Sequence, residues 1–239
     1  KQIKSAYKSN YGDNYKDSLN QALTSAGYKN LSEYRQRMIK QIQYANFLLD
    51  YIDDHFDDVF NDYYQQCAPK YVSLIKISVS DTSSPTDDET SKLNEVKELI
   101  SNTDKSFGDI AQDYSDDSTS SKKGSLGIVD SKDTSGIANS YGKDVFNAIE
   151  SLSEGQVSDV ITGDDGYYFV KVTSTDKKTL KKELKKTDID SPLLAYDDYL
   201  QYVVYNSYKI NYKDKDIKKI VQEVVNKALE ERKTERGEA

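Results

Sequence analysis

Phe107-Gly-Asp-Ile-Ala-Gln-Asp-Tyr-Ser-Asp-Asp-Ser118, followed after a polar stretch by Gly124-Ser-Leu-Gly127, is the part of the sequence on which the fold turns. Phe107, Ile110, Ala111 and Tyr114 recur at three- and four-residue spacing, which predicts one short amphipathic helix. Ser115 to Gly124 is rich in Ser, Asp, Lys and Gly, the composition of an irregular turn. Leu126 to Val129 then reads as a short strand.

Working outward, Tyr71 to Val79 alternates, with Val72, Leu74 and Lys76 on one side and Ser73, Ile75, Ile77 and Val79 on the other. Leu93, Val96, Leu99 and Ile100 mark a helix, Asp144 to Ser151 another, and Tyr167 to Val172 a closing strand. Val72 to Thr173 is therefore expected to be a compact α+β unit of about a hundred residues. The flanks read differently. Tyr15, Leu19, Ala22 and Leu23 predict a helix closing at Gly27, and Asn30 with Glu33 resembles a capping box. Beyond it Leu31, Tyr34, Met38, Ile39, Ile42, Ala45, Leu49 and Ile52 form one long stripe, and a shorter helix, Asp57 to Gln66, ends before Pro69. Lys177 to Asp190 reads as a charged helix or linker, and Pro192 as the start of a helical block carrying Tyr196, Tyr199, Leu200, Val203 and Val204. The stripe Ile217, Ile220, Val221, Val224, Val225, Ala228 and Leu229 calls for a partner helix, for which Leu31 to Ile52 is the nearest match. Glu230 to Ala239 reads as a frayed end. The expected organisation is an all-α domain made of residues 1–71 and 176–239 packed together, with the α+β unit, residues 72–175, inserted between them.

Composition excludes several classes of function. Of 239 residues, 33 are Lys or Arg and 41 Asp or Glu, a net charge of −8 that argues against nucleic acid as a partner. One Cys and one His leave no raw material for a disulfide or a His-based metal site, and no cofactor is expected. Cys67 reads as an incidental helix-end residue rather than a nucleophile, since His55 lies in an acidic, helix-like stretch. The acidic pairs Asp87-Asp88, Asp116-Asp117 and Asp164-Asp165 lack the alternating oxygens of a calcium loop and read as solvated surface. No apolar run approaches the roughly 18 residues that cross a bilayer. Twenty Tyr, one Cys and no Trp suit an exported protein of a bacterium that does not rely on disulfides.

The Phe107–Ser118 run leading to Gly124-Ser-Leu-Gly127 resembles the parvulin signature F-x-x-(I/L)-A-x-x-x-S-x-(C/D) … G-D-L-G. Leu152-Ser-Glu-Gly-Gln-Val-Ser158 resembles that family's L-x-x-G-E-(I/V)-S turn, and Gly166-Tyr-Tyr-Phe-Val-Lys-Val172 its closing strand. Ala26-Gly-Tyr28, Glu33-Tyr-Arg35 and the Pro69-Lys70 pair are similar to the flanks of PrsA-type foldases, exported, lipid-anchored folding factors of Gram-positive bacteria. The resemblance implies a small sheet wrapped by helices, with a cleft in which a prolyl peptide bond is rotated. It also implies unfolded exported polypeptides as partners, and membrane attachment only through a lipidated Cys upstream of Lys1, outside this chain. That rotation faces a barrier of roughly 18–20 kcal/mol, which an apolar proline pocket and a few placed hydrogen-bonding groups can lower by favouring the twisted amide.

The family places two His on adjacent inner strands beside a Cys or Asp. Here Leu74-Ile-Lys-Ile-Ser-Val79 puts Lys76 in the first position and the closing strand puts Tyr168 in the second, while Asp117 keeps the Cys/Asp position. Leu126 keeps the pocket leucine, with Val145 or Phe146 as the next wall residue and Phe169 a further lining candidate. Each has a plainer reading: Asp117 as a solvated loop residue, Tyr168 as half-buried packing, Leu126, Phe146 and Phe169 as core. An inward Lys76 would be free to pair with Asp117.

Three functions follow. The first is an extracytoplasmic chaperone whose helical, Tyr-rich part holds non-native chains while a degenerate parvulin unit serves as scaffold or second client site. The second is a low-efficiency prolyl isomerase using Asp117 and Tyr168. The third is a surface protein that borrowed the fold for adhesion or assembly. The sequence leaves monomer and homodimer open.

Overall fold

The computed structural model describes residues 2–184 and 189–238, which fall into two compact units, one ending at Tyr51 and one starting at Ile52. The first is helical: α1 (Gln2–Tyr11), α2 (Tyr15–Ser25) and most of α3 (Leu31–Asp54). Gly27, at φ +79°, closes α2 as predicted, with Tyr28 N–H donating to the Leu23 carbonyl at 2.9 Å. Asn30 Oδ1 accepts from Glu33 N at 3.0 Å, and the Glu33 carboxylate accepts from Lys29 N at 2.8 Å, one residue earlier than an ideal capping box. α1 buries no side chain, so no apolar period marks it in the sequence.

The second unit begins with α4 (Phe56–Cys67), which ends at Ala68 in the left-handed region just before Pro69. β1 (Lys70–Ser78) is followed by α5 (Asp87–Asn102) and α6 (Phe107–Tyr114), then β2 (Ser125–Val129). α7 (Ile137–Tyr141) and α8 (Lys143–Ser151) precede the short β3 (Ile161–Thr162) and the long β4 (Gly166–Ser174). The four strands form one antiparallel sheet in the order β2-β1-β4-β3. Alternation along β1 sorts its side chains onto two cores. Ile75 and Ile77 join Phe107, Ile110, Ala111, Leu93 and Val96 under α5 and α6. Val72 and Leu74 join Val170, Tyr168, Val145 and Ile149 under α7 and α8. Each buried Leu, Ile or Phe contributes about 1.5–3 kcal/mol, so the sheet is held by its two faces rather than by its short edge strands.

Lys70 ties the start of β1 to the end of α8. Its ammonium donates to the carbonyls of Ile149, Glu150 and Leu152 at 2.9, 2.6 and 3.0 Å, placing a cation at the negative end of the helix. Lys70→Met is expected to lower stability by about 1–3 kcal/mol, read as a fall in the denaturant midpoint at unchanged m-value.

The C-terminal part is α9 (Lys177–Leu184), a single 3-10 turn at Pro192–Leu194, α10 (Leu200–Ser207) and α11 (Lys215–Glu235). The predicted linker to Asp190 lies partly outside the described residues, at 185–188. Pro192 opens only the 3-10 turn; the helix starts at Leu200, after Asp197 has turned its carboxylate onto Tyr199 N–H. The end is not frayed: α11 runs to Glu235, and Arg232 and Arg236 pair with Asp62 of α4 and with Asp197. Of the α11 stripe, Val225 and Ala228 are buried, while Ile217, Ile220 and Val224 are exposed. Cys67 is fully buried, and burial together with the charge of Asp130 pushes its thiol up to about 11, so it stays protonated.

Candidate functional site

The antiparallel register sets Lys76 of β1 directly opposite Tyr168 of β4, both on the face covered by α7 and α8. The Lys76 ammonium sits 5.7 Å from the centre of the Tyr168 ring. It does not reach for Asp117. It pairs instead with Asp165, whose other oxygen accepts from the Tyr168 hydroxyl. Asp165 lies in the β3–β4 turn, where Gly163 makes room for the tyrosine: a Cβ at Gly163 would meet the Tyr168 ring at 2.7 Å. Hydrogen bonds from Lys76 and Tyr168 hold the Asp165 carboxyl below the usual range, so it is a carboxylate near neutral pH. Burial, then the hydrogen bond to Asp165 and its charge, push the Tyr168 hydroxyl far upward, so it stays a donor.

Tyr141, the last residue of α7, packs edge-on against Tyr168 at 6.2 Å between ring centres. Burial and the neighbouring Asp117 carboxylate raise its hydroxyl too. Asp117 caps the turn after α6, its Oδ1 accepting from the Thr119 N–H at 2.8 Å and hydroxyl at 2.6 Å. Its local role is therefore to shape the loop and to engage the Tyr141 hydroxyl, and it lines no part of the cleft wall.

Between the α7–α8 junction and the β3–β4 turn lies a cleft of about 580 Å³, lined by Tyr141, Val145, Ile161, Gly163, Asp165 and Tyr168. Val145, 1% exposed, forms part of its wall. Phe146, its alternative, is half-buried against the core of this face and lines no part of the cleft. Leu126 packs on the same core but opens toward a second cleft of about 650 Å³ with Ile128, Leu184 and Leu194. Phe169 is a correction: strand alternation turns it to the opposite face, where it packs with Ile75, Val96 and Phe107 under α5 and α6. Tyr168, only 2% exposed, is the floor of the cleft rather than a projecting group.

The sequence reading missed two members of the site. Tyr141 sits on a five-residue helix, too short for periodicity to announce. Asp165 was grouped with Asp164 as solvated surface; its side chain is 64% exposed, yet it accepts from both Lys76 and Tyr168. The resulting arrangement offers aromatic and aliphatic walls over a floor whose charges cancel. It can hold an apolar ring, while its two tyrosine hydroxyls are already engaged by Asp165 and Asp117.

The Rotamase family, the PPIC-type PPIASE domain, matches residues 74–174, the span that contains this cleft and all of the sheet but the first residues of β1. Foldase protein PrsA of Staphylococcus aureus is 32% identical over 141 residues, 56% of this chain and 41% of that protein. Foldase protein PrsA of Staphylococcus epidermidis matches at the same 32% over 141 residues, with the same coverage. The chain thus matches about two fifths of the length of these curated relatives. Among solved structures, that of PrsA from Bacillus subtilis is similar at 23% identity and a TM-score of 0.42, covering 89% of this chain and 75% of that one. The rotamase match thus falls on the strands and helices around the cleft, and the chain is similar to the PrsA foldases over part of their length.

Proposed function

We propose that this chain is an extracytoplasmic foldase that binds non-native exported polypeptides and holds their prolyl segments in the cleft floored by Tyr168. The observation that carries this reading is the cleft itself: about 580 Å³ between Tyr141, Val145, Ile161 and Tyr168, within the rotamase-matched span. A pyrrolidine ring is apolar and compact, and tyrosine edges and aliphatic walls accept it without requiring a charge. Catalysis needs donors aimed at the twisted amide. Here the Tyr168 hydroxyl is already engaged by Asp165 and Asp117 by Thr119, which favours holding over rotating. Export, and attachment to the outer face of a Gram-positive membrane by a lipid anchor outside this chain, belong to the same proposal, which the foldase names of the staphylococcal relatives suit.

The helical residues 1–71 and 176–239 are proposed as the part that engages unfolded clients over a broader surface. On α11, Ile217, Ile220 and Val224 are 54%, 59% and 51% exposed, and on α3 Ile39 and Ile42 are 52% and 48% exposed. Such apolar positions, rimmed by charge, suit transient contact with unfolded chains. Among the described residues no helix is long and apolar enough to cross a membrane.

The test is refolding of a protein whose slow phase is prolyl isomerisation. Equimolar full-length chain is expected to raise the folded yield and to shorten the slow phase little. Unchanged yield, with no detectable association, would contradict the reading. A large acceleration lost in Asp117→Ala would instead establish an isomerase acting through that carboxylate. Titration of a prolyl peptide gives a sharper check on the walls. Tyr141→Ala is expected to weaken binding about tenfold, as loss of a buried aromatic anchor does. Asp117→Ala is expected to change it less than about twofold.

A further inference from the structure

Among the described residues, Lys76 is the one cation whose side chain meets the floor of the cleft, against the Tyr168 ring, and its side chain is 17% exposed. Left alone, an ammonium in this place would draw an acidic residue toward the bound proline. Asp165 removes that attraction by pairing with it across the β3–β4 turn. What remains is the charge of the rim. Asp144, at the start of α8, and Asp164, beside Asp165, line the cleft, and neither makes an ion pair among the described residues. Lys143 offsets one of them, and Asp117, which engages the Tyr141 hydroxyl and whose charge acts on Tyr168, adds a further negative charge. The balance at the mouth is negative.

We propose that Asp165 is the specificity-determining residue of the cleft: by cancelling Lys76 it leaves the rim to select prolyl segments bearing Lys or Arg beside the proline over those bearing Glu or Asp. This rests on the reading of the cleft as a prolyl site. It adds the sign of the neighbouring residue, which the apolar walls cannot read.

Three peptides identical except for Lys, Ala or Glu before the proline, titrated into the full chain and followed by amide shifts, test it. In the unaltered chain the Lys peptide is expected to bind about fivefold tighter than the Glu peptide at low salt, the size of one unscreened charge pair in water. That ratio should shrink toward one at 1 M salt, where screening reaches within about 3 Å. Asp165→Asn, which keeps the shape of the turn and frees Lys76, is expected to bring the ratio to one or below. Adding Lys76→Met to Asp165→Asn removes the freed cation and is expected to restore the preference for Lys, a rescue that a purely structural role for Asp165 would not give. Equal binding of all three peptides to the unaltered chain overturns this inference and leaves the prolyl site standing. An unchanged ratio in Asp165→Asn overturns it as well. Failure of every peptide to bind overturns both the inference and the prolyl site.

Discussion

Gly124→Ala is expected to lower the stability of the sheet-containing unit by about 2–5 kcal/mol and its melting temperature by roughly 10 °C, read by circular dichroism. Gly124 sits at φ +75°, and a Cβ there would meet the Leu74 carbonyl oxygen at 2.4 Å and the Ala111 methyl at 2.8 Å. The left-handed backbone alone costs an alanine about 1–2 kcal/mol. Forcing a methyl between β1 and α6 adds about 1–3 kcal/mol, because neither the strand nor the helix can withdraw without opening a packed core. The position is further fixed by hydrogen bonds, Leu74 N–H to the Gly124 carbonyl at 2.8 Å and Gly124 N–H to the Thr119 carbonyl at 2.9 Å. A variant as stable as the parent would mean that the approach of this loop to β1 is misplaced.

Asp197→Ala is expected to cost about 3–5 kcal/mol, because it leaves the single carboxylate of Asp62 to hold two arginines beside α4. The Asp197 side chain is 4% exposed and accepts from Arg232 at 2.7 Å and Arg236 at 3.0 Å. Asp62 completes the cluster, taking Arg236 at 2.6 Å and the Tyr196 hydroxyl at 2.8 Å. Burial pushes the Asp62 carboxyl up, but the hydrogen bonds from Arg236 and Tyr196 and the charges of both arginines outweigh it, leaving it below its ordinary 3.8. A depressed carboxyl stabilises the folded state above its unfolded value, and that contribution is lost as pH falls through the folded one. Stability from this group is therefore expected to hold down to about pH 4 and to fall below it, and Asp62→Asn should remove that part of the acid dependence. Denaturant titrations at pH 7 and pH 3 separate the two effects.

Much of the sheet domain was legible because its elements carry clean periods. The two faces of β1 follow from alternation, and α6 from Phe107, Ile110 and Ala111 at helical spacing. The pairing of Lys76 with Tyr168 followed from the resemblance, since the two positions occupy neighbouring strands. What sequence could not give was the partner of Lys76. Asp117 and Asp165 are both acidic loop residues, and only the β3–β4 turn decides which carboxylate arrives. Phe169 was misassigned because a closing strand with two buried faces shows no polar alternation, so neighbouring residues look equally suited to either side. Glu230 to Ala239 reads as a frayed end, yet it includes the arginines that pair with the carboxylates of Asp62 and Asp197.

Mapping a bound prolyl peptide by amide chemical shifts tests the central claim most directly, since it asks where on the chain the proline goes. The account predicts that the largest changes fall on Tyr141, Val145, Ile161, Gly163 and Tyr168, around the cleft over β4. Changes confined to Leu126, Ile128 and Leu194, around the second cleft, would contradict it.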